Sequence, residues 1–362
     1  MSRSTKLRGI ELCRGLAAFA VILVHSGDQS WDIPIDDSAI EFRLLFYFAV
    51  PFFIATYFYL TTKKLPERIS FSFWRKKLKR IVIPYFFWST IFLLLKSVLS
   101  IRGGNIDQLK QLWSDPLAIV LFGAASYHLY FLPLLMSGTL LLYSAKYIVK
   151  HQNSFWIICL GYLLSTLFYQ WLVISDNIFT LGEYVAFPQL LNLLSPQTFS
   201  YSIVRIILVC FAWIFRCLPY FFVALFLNHT FKIGNHRWLY YRQTSLCLML
   251  GFILLNAIEE KLMFRSFTDV AIAYSLLLFG ISISKRISNN WLIDSLGICS
   301  FGIYLIHPFI KSIIEPALTI SIPSVMSSVS IVSMMIIACS TFIVSWIVVS
   351  LLRRHKLLAN FV

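Results

Sequence analysis

Charge is scarce in this sequence. Asp, Glu, Lys and Arg make up 13% of its 362 residues, about half the share found in ordinary soluble domains, and 31 Lys and Arg stand against 16 Asp and Glu. So little charge cannot cover a water-facing surface, which excludes an ordinary soluble domain. Paired cysteines are also absent. Cys13, Cys159, Cys210, Cys217, Cys247, Cys299 and Cys339 occur singly, mostly inside apolar runs, so their spacing supports neither a disulfide framework nor a metal site, and they read as small buried hydrophobes. There is no Walker-type or G-x-G-x-x-G loop to hold a nucleotide in the usual way, no fixed-period repeat and no low-complexity tract. The net charge of +15 is of the kind that reports topology in a membrane protein, and nucleic-acid binding is discounted.

What is abundant is apolar surface. Hydrophobic residues make up 59% of the chain and mean hydropathy is +0.77. Apolar segments lie at about 9–27, 42–62, 81–100, 128–147, 155–174, 203–228, 242–258, 267–284, 292–314 and 325–352, most of them near the length needed to cross a bilayer. The expectation is an all-α polytopic bundle of about ten membrane helices, forming a single integral membrane domain over 1–362. The first segment keeps Glu11 and Arg14 inside it, unlike a cleavable signal, and is read as retained. The sixth is interrupted by Arg216 and Pro219, which leaves its start open between 203 and Arg216; with the later start 199–215 becomes an interfacial stretch, a reading also open for 186–195 and 116–126. Lys and Arg cluster at 3–8, 63–80, 146–150, 232–242, 285–286 and 353–356, which are the termini and every second loop. By the positive-inside rule these are cytoplasmic, both termini included. The opposite loops carry Asp28, Asp32, Asp36, Asp37, Asp107, Asp115, Asp176 and Glu183 and are expected outside.

Ionisable residues inside apolar segments are costly and functional by default, and Arg14 and His25 both lie in the first. Eleven residues apart, they stand about three turns and roughly 16 Å along nearly one face of a helix. A bland reading pairs Arg14 with Glu11 three residues back and leaves His25 at the interface. A sharper one makes Arg14 a cation within the membrane and His25 a proton-moving group at the outer surface. His128 in SYHLYFL and His307 in FGIYLIHPF are expected on the same outer side, as further catalytic or substrate-contacting imidazoles. Asp28, three residues after His25, is a candidate to orient its ring.

On the inner side, Trp74-Arg75-Lys76-Lys77-Leu78-Lys79-Arg80 precedes Pro84-Tyr85. Such a run fixes a loop in the cytoplasm and equally suits an anion site for a phosphorylated donor.

These stretches resemble the acyltransferase-3 family of membrane enzymes, which O-acylate surface polysaccharides and related glycans. RGIELCRGLAAFAVILVH, with ten residues between Arg14 and His25, is similar to the family's first-helix signature. PFFIATYFYL at 51–60 is similar to its second-helix motif, with Ala55-Thr56 where the family usually has Ser-Gly. WRKKLKRIVIPY at 74–85, HLYFL at 128–132, RCLPYFFVALF at 216–226 and SFGIYLIHPF at 300–309 follow in the family's order. Some members carry an appended SGNH-type domain, and none is expected here, the sequence ending at Val362.

The resemblance implies an inner-membrane O-acetyltransferase. Its donor is acyl-CoA, in the family most often acetyl-CoA, and its acceptor a glycan or lipid-linked saccharide. No metal is implied. Arg75, Lys76, Lys79, Arg80 and Tyr85 then hold the donor. His25 and Arg14 are catalytic, His25 as general base on the acceptor hydroxyl or as an acyl-carrying nucleophile. His128, Arg216, Tyr304 and His307 contact substrate. The alternative is a transporter or flippase of a lipid-linked sugar or small anion, for which charges in a bundle are equally expected, although no inverted repeat is visible. An assembly subunit leaves Arg14, His25 and His307 without a reason.

Overall fold

A computed structural model describes residues 7–27, 34–66, 70–234, 236–258 and 264–362. Fifteen α-helices are described. They are α1 (Arg8–Val24), α2 (Asp37–Leu44), α3 (Ala49–Lys63), α4 (Phe71–Arg102), α5 (Ile106–Trp113), α6 (Phe131–Thr139), α7 (Leu142–Lys150), α8 (Ser154–Ile174), α9 (Pro188–Leu191), α10 (Phe199–Ile233), α11 (Arg242–Ile258), α12 (Arg265–Ile283), α13 (Trp291–Ser321), α14 (Pro323–Met326) and α15 (Ile331–Leu352). Among the described residues there is no strand, only isolated bridges between Ile35 and Val329 and between Thr180 and Val185. The chain is all-α and polytopic. Among the described residues, eight spans are long and apolar enough to cross a membrane. Helices α1 and α11, at 17 residues each, reach about 25 Å and sit at the lower limit for crossing.

Local chemistry sets several helix starts. Ser70 accepts from the Phe73 amide before α4, Asn290 from Leu292 before α13, and Ser330 forms a reciprocal capping box with Ser333 before α15. Each satisfies an amide that the first turn leaves without a partner.

The chain packs as two compact units, Met1–Thr56 with Gly234–Val362, and Tyr57–Ile233. In the first unit α1 packs against α13, α12, α15 and α2, α13 against α15, and α11 against α12. Small residues allow this crowding. A Cβ placed on Gly9 would collide with the Gly280 carbonyl, and one on Gly297 with the Glu11 side chain. Backbones that approach so closely are a common way for membrane helices to associate. The Gly9 amide donates to Ser284 Oγ at 3.0 Å, and Ala17, Ala18, Ala20, Ile22 and Leu23 are fully buried.

In the second unit α10 packs against α8, α6, α7 and α9, and α4 against α5 and α6. Its interior is aromatic, with Trp213 edge-on to Phe122 and Phe179. The Tyr85 hydroxyl donates to the Ile119 carbonyl at 2.9 Å and accepts from the Gly123 amide at 3.0 Å. It thereby ties α4 to a short π-helical turn at Ala118–Phe122.

Three segments differ from the sequence expectation. The interruption at Arg216 and Pro219 is absent, and α10 runs unbroken from Phe199 to Ile233 through Pro219. In a membrane helix the hydrogen bond lost at proline is made up by neighbours, so the residue does not end the helix. The fourth apolar segment is two short helices, α6 and α7, and His128 stands in the turn before α6. The second is preceded by the separate helix α2. Asp28 and Asp32 lie outside the described residues.

Candidate functional site

The first unit gathers four sequence-singled residues. His25 caps the C-terminus of α1, its amide donating to Ile22 and Val21 carbonyls. His307 is fully buried in α13. Their rings stack 6.0 Å apart between centroids at 23°. His307 Nδ1 lies 2.7 Å from the Tyr304 carbonyl oxygen. A carbonyl only accepts, so Nδ1 carries the proton and, in the neutral ring, the lone pair is on Nε2. Tyr304 is buried, its ring 6.1 Å from His307 and 6.4 Å from Phe53.

Arg14 lies three turns before His25 and pairs with Glu11 at 3.0 Å, both side chains mostly shielded. The ion pair anticipated from the three-residue spacing is therefore present. It does not exclude a second role, because one guanidinium has five donors.

Two further residues join the histidines. Lys311, one turn beyond His307, is 2% exposed and donates to the His25 backbone carbonyl. A cation at the C-terminal end of a helix satisfies a carbonyl that has no intrahelical partner and opposes the helix dipole. Its ammonium also faces Glu315 at 3.7 Å.

The second unit carries the basic face. Arg75, Lys76, Lys79 and Arg80 are exposed on one side of α4, spaced as a single helical stripe. Lys77 turns the other way. It donates to Thr61 Oγ1 at 2.7 Å and stands 5.0 Å from the centre of the Tyr57 ring. The four exposed cations are free to meet a polyanion, whereas Lys77 is built into the helix packing.

Tyr85, expected at the donor site, is 2% exposed, and its hydroxyl holds the Ile119–Gly123 backbone. His128 is also buried, its Nδ1 at 3.1 Å from Ser126 Oγ and its ring edge-on to Phe92. Arg216 is half-buried in α10, three residues before Pro219.

A further pair, carrying no sequence motif, lies in this unit, with Arg205 buried and Asp115 half-buried. Arg205 binds Asp115 at 2.5 Å and the Tyr184 carbonyl at 3.1 Å, over the face of Phe122. Burial raises the Tyr184 phenol above its ordinary value, and the Asp115 carboxylate adds to the shift. Among the described residues, no three His, Cys, Asp or Glu side chains group as a metal site.

A helical bundle whose described residues include eight helices long and apolar enough to cross a membrane defines a polytopic integral membrane protein. Residues 7–350 match the family model of the acyltransferase domain designated acyltransferase 3. The chain belongs to this family and is a membrane acyltransferase. No curated protein and no solved structure matches it.

Proposed function

We propose that this protein moves an acyl group, acetyl in the first instance, from cytoplasmic acyl-CoA to a hydroxyl of a cell-surface or exported glycan, as a single inner-membrane O-acyltransferase domain. The observation that carries this reading is the stacked pair of His25 and His307, with the His307 tautomer set by the Tyr304 carbonyl. An imidazole beside an acceptor alcohol is the side chain suited to take its proton near neutral pH.

The donor supplies an activated thioester. His25 takes the proton of the acceptor hydroxyl as its oxygen bonds to the thioester carbonyl carbon. The carbon–sulfur bond breaks, and the departing thiolate receives that proton from the imidazolium. An ester and a free thiol result, and His25 returns to its starting state. Arg75, Lys76, Lys79 and Arg80 bind the donor's phosphates as charged donors. Arg14 serves the donor within the membrane. His128, Arg216, Tyr304 and His307 contact substrate.

The test is purified protein with labelled acetyl-CoA. Thiol release and labelled glycan should both depend on His25, and His25→Ala should lower turnover by roughly 10²–10⁴-fold while the protein stays folded. Label retained on His25 with donor alone selects a two-step route through an acyl-histidine. Movement of a lipid-linked sugar across vesicles without thioester cleavage selects the transporter instead.

A further inference from the structure

A small recess of about 30 Å³ opens beside the His25 end of α1, lined by Gly27, Glu315, Thr319, Met326, Ser328, Val329, Ser333, Met334 and Ile337. Its floor is apolar, since Met326, Met334 and Ile337 are buried. Glu315 supplies the charge. Its Oε2 is shielded from solvent and makes no hydrogen bond among the described residues. The Lys311 ammonium at 3.7 Å is beyond hydrogen-bonding distance. An ionised carboxylate oxygen left in this condition is costly, and a hydroxyl proton would relieve it.

The walls are fixed. Gly27 has φ +94°, and a Cβ there would press on Val329. Val329 is held in turn by the Pro34 carbonyl and the Asp36 amide. A volume of this size admits a group about as large as one or two waters. It has no room for a sugar ring or an acyl chain.

We infer that the recess is an acceptor subsite, receiving a hydroxyl or hydroxymethyl group of a polyhydroxylated acceptor whose proton is donated to Glu315. This inference rests on the proposed transferase reading. Lys311 holds Glu315 by its charge and the His25 backbone by a hydrogen bond, so one side chain links the subsite to the base.

The experiment measures thiol release from acetyl-CoA with and without surface glycan extracted from cells lacking this protein. The variant compared with the unmodified protein is Glu315→Leu. It should raise the KM for glycan about tenfold or more, as expected for a lost hydrogen bond to a charged group, without changing the KM for acetyl-CoA. Because Glu315→Leu strands the Lys311 charge, Lys311→Met with Glu315→Leu is made in parallel and should show the same rise in glycan KM. An unchanged glycan KM in a folded variant, single or double, overturns the subsite. Absence of thiol release and transfer in the unmodified protein overturns the transferase reading instead.

Discussion

The imidazole rings of His25 and His307 lie nearly parallel with 6.0 Å between their centres, although almost the whole sequence separates them. His25 terminates the first helix of its unit and His307 occupies the middle of α13. Packing of α1 on α13 alone brings the two together, and the hydrogen bond to Tyr304 orients the second.

That orientation makes His307→Asn an informative change. The asparagine amide keeps a donor for the Tyr304 carbonyl but has no counterpart of Nε2. If Nε2 contacts substrate, His307→Asn and His307→Ala should lose turnover alike, by roughly tenfold or more but less than His25→Ala. An Asn variant with full turnover would show that His307 serves only to hold the backbone.

The exposed cations of α4 should behave differently from Lys77. Replacing Lys79 and Arg80 with Gln is expected to raise the apparent KM for acyl-CoA more than it lowers the rate at saturating donor, because ground-state binding is removed. Lys77→Met should instead lower the thermal unfolding midpoint, since it deprives Thr61 of its partner. An unaltered KM in the double Gln variant, with topology verified, leaves the stripe as a topogenic signal alone.

Arg14 and Glu11 form an ion pair in a helix of small and apolar residues. Removing either partner strands a charge in a poorly polar setting, so Arg14→Leu and Glu11→Leu should each insert or fold poorly. The double Leu variant should recover folding but not transfer. Arg14→Lys should also be stable and nearly inactive, for a lysine keeps the charge without the planar fork. Full transfer by the double Leu variant refutes a direct role.

Tyr85→Phe separates a structural hydroxyl from a donor-binding one. The change removes one partner from each of two backbone groups, Ile119 C=O and Gly123 N–H, at a cost of about 1–3 kcal/mol for each buried group left unsatisfied. Calorimetry should register this as lost stability with the acyl-CoA KM unchanged. A raised KM without lost stability would return Tyr85 to the donor site.

Most of the apolar segments were legible because hydropathy and length alone constrain membrane helices. The Arg14–Glu11 pair was legible from spacing, and His25 and His307 from the expense of imidazoles in apolar runs. Lys77, Lys311 and Glu315 were harder. Lys77 continues the stripe of Ile81, Pro84, Tyr85 and Trp88, the buried face of α4, and the 3.6-residue period was the available signal. His307, Lys311 and Glu315 recur every four residues on α13, a readable face whose partner, the carbonyl end of α1, belongs to a distant part of the chain. Continuity of α10 through Pro219 was not legible, because local rules stop a helix at proline and only the packed neighbours of a bundle override them. Arg205 and Asp115 are far apart in sequence and carry no motif.

The contact of Gly9 with Gly280 gives α1 a fixed phase. With one end of the helix held backbone to backbone, the direction in which His25 points is set by the count of residues between them. Inserting a single alanine between Arg14 and His25 would turn the imidazole by about 100° and advance it about 1.5 Å, taking it off the His307 ring without altering any side chain. The length of this segment is thus as much a part of the site as the residues at its ends.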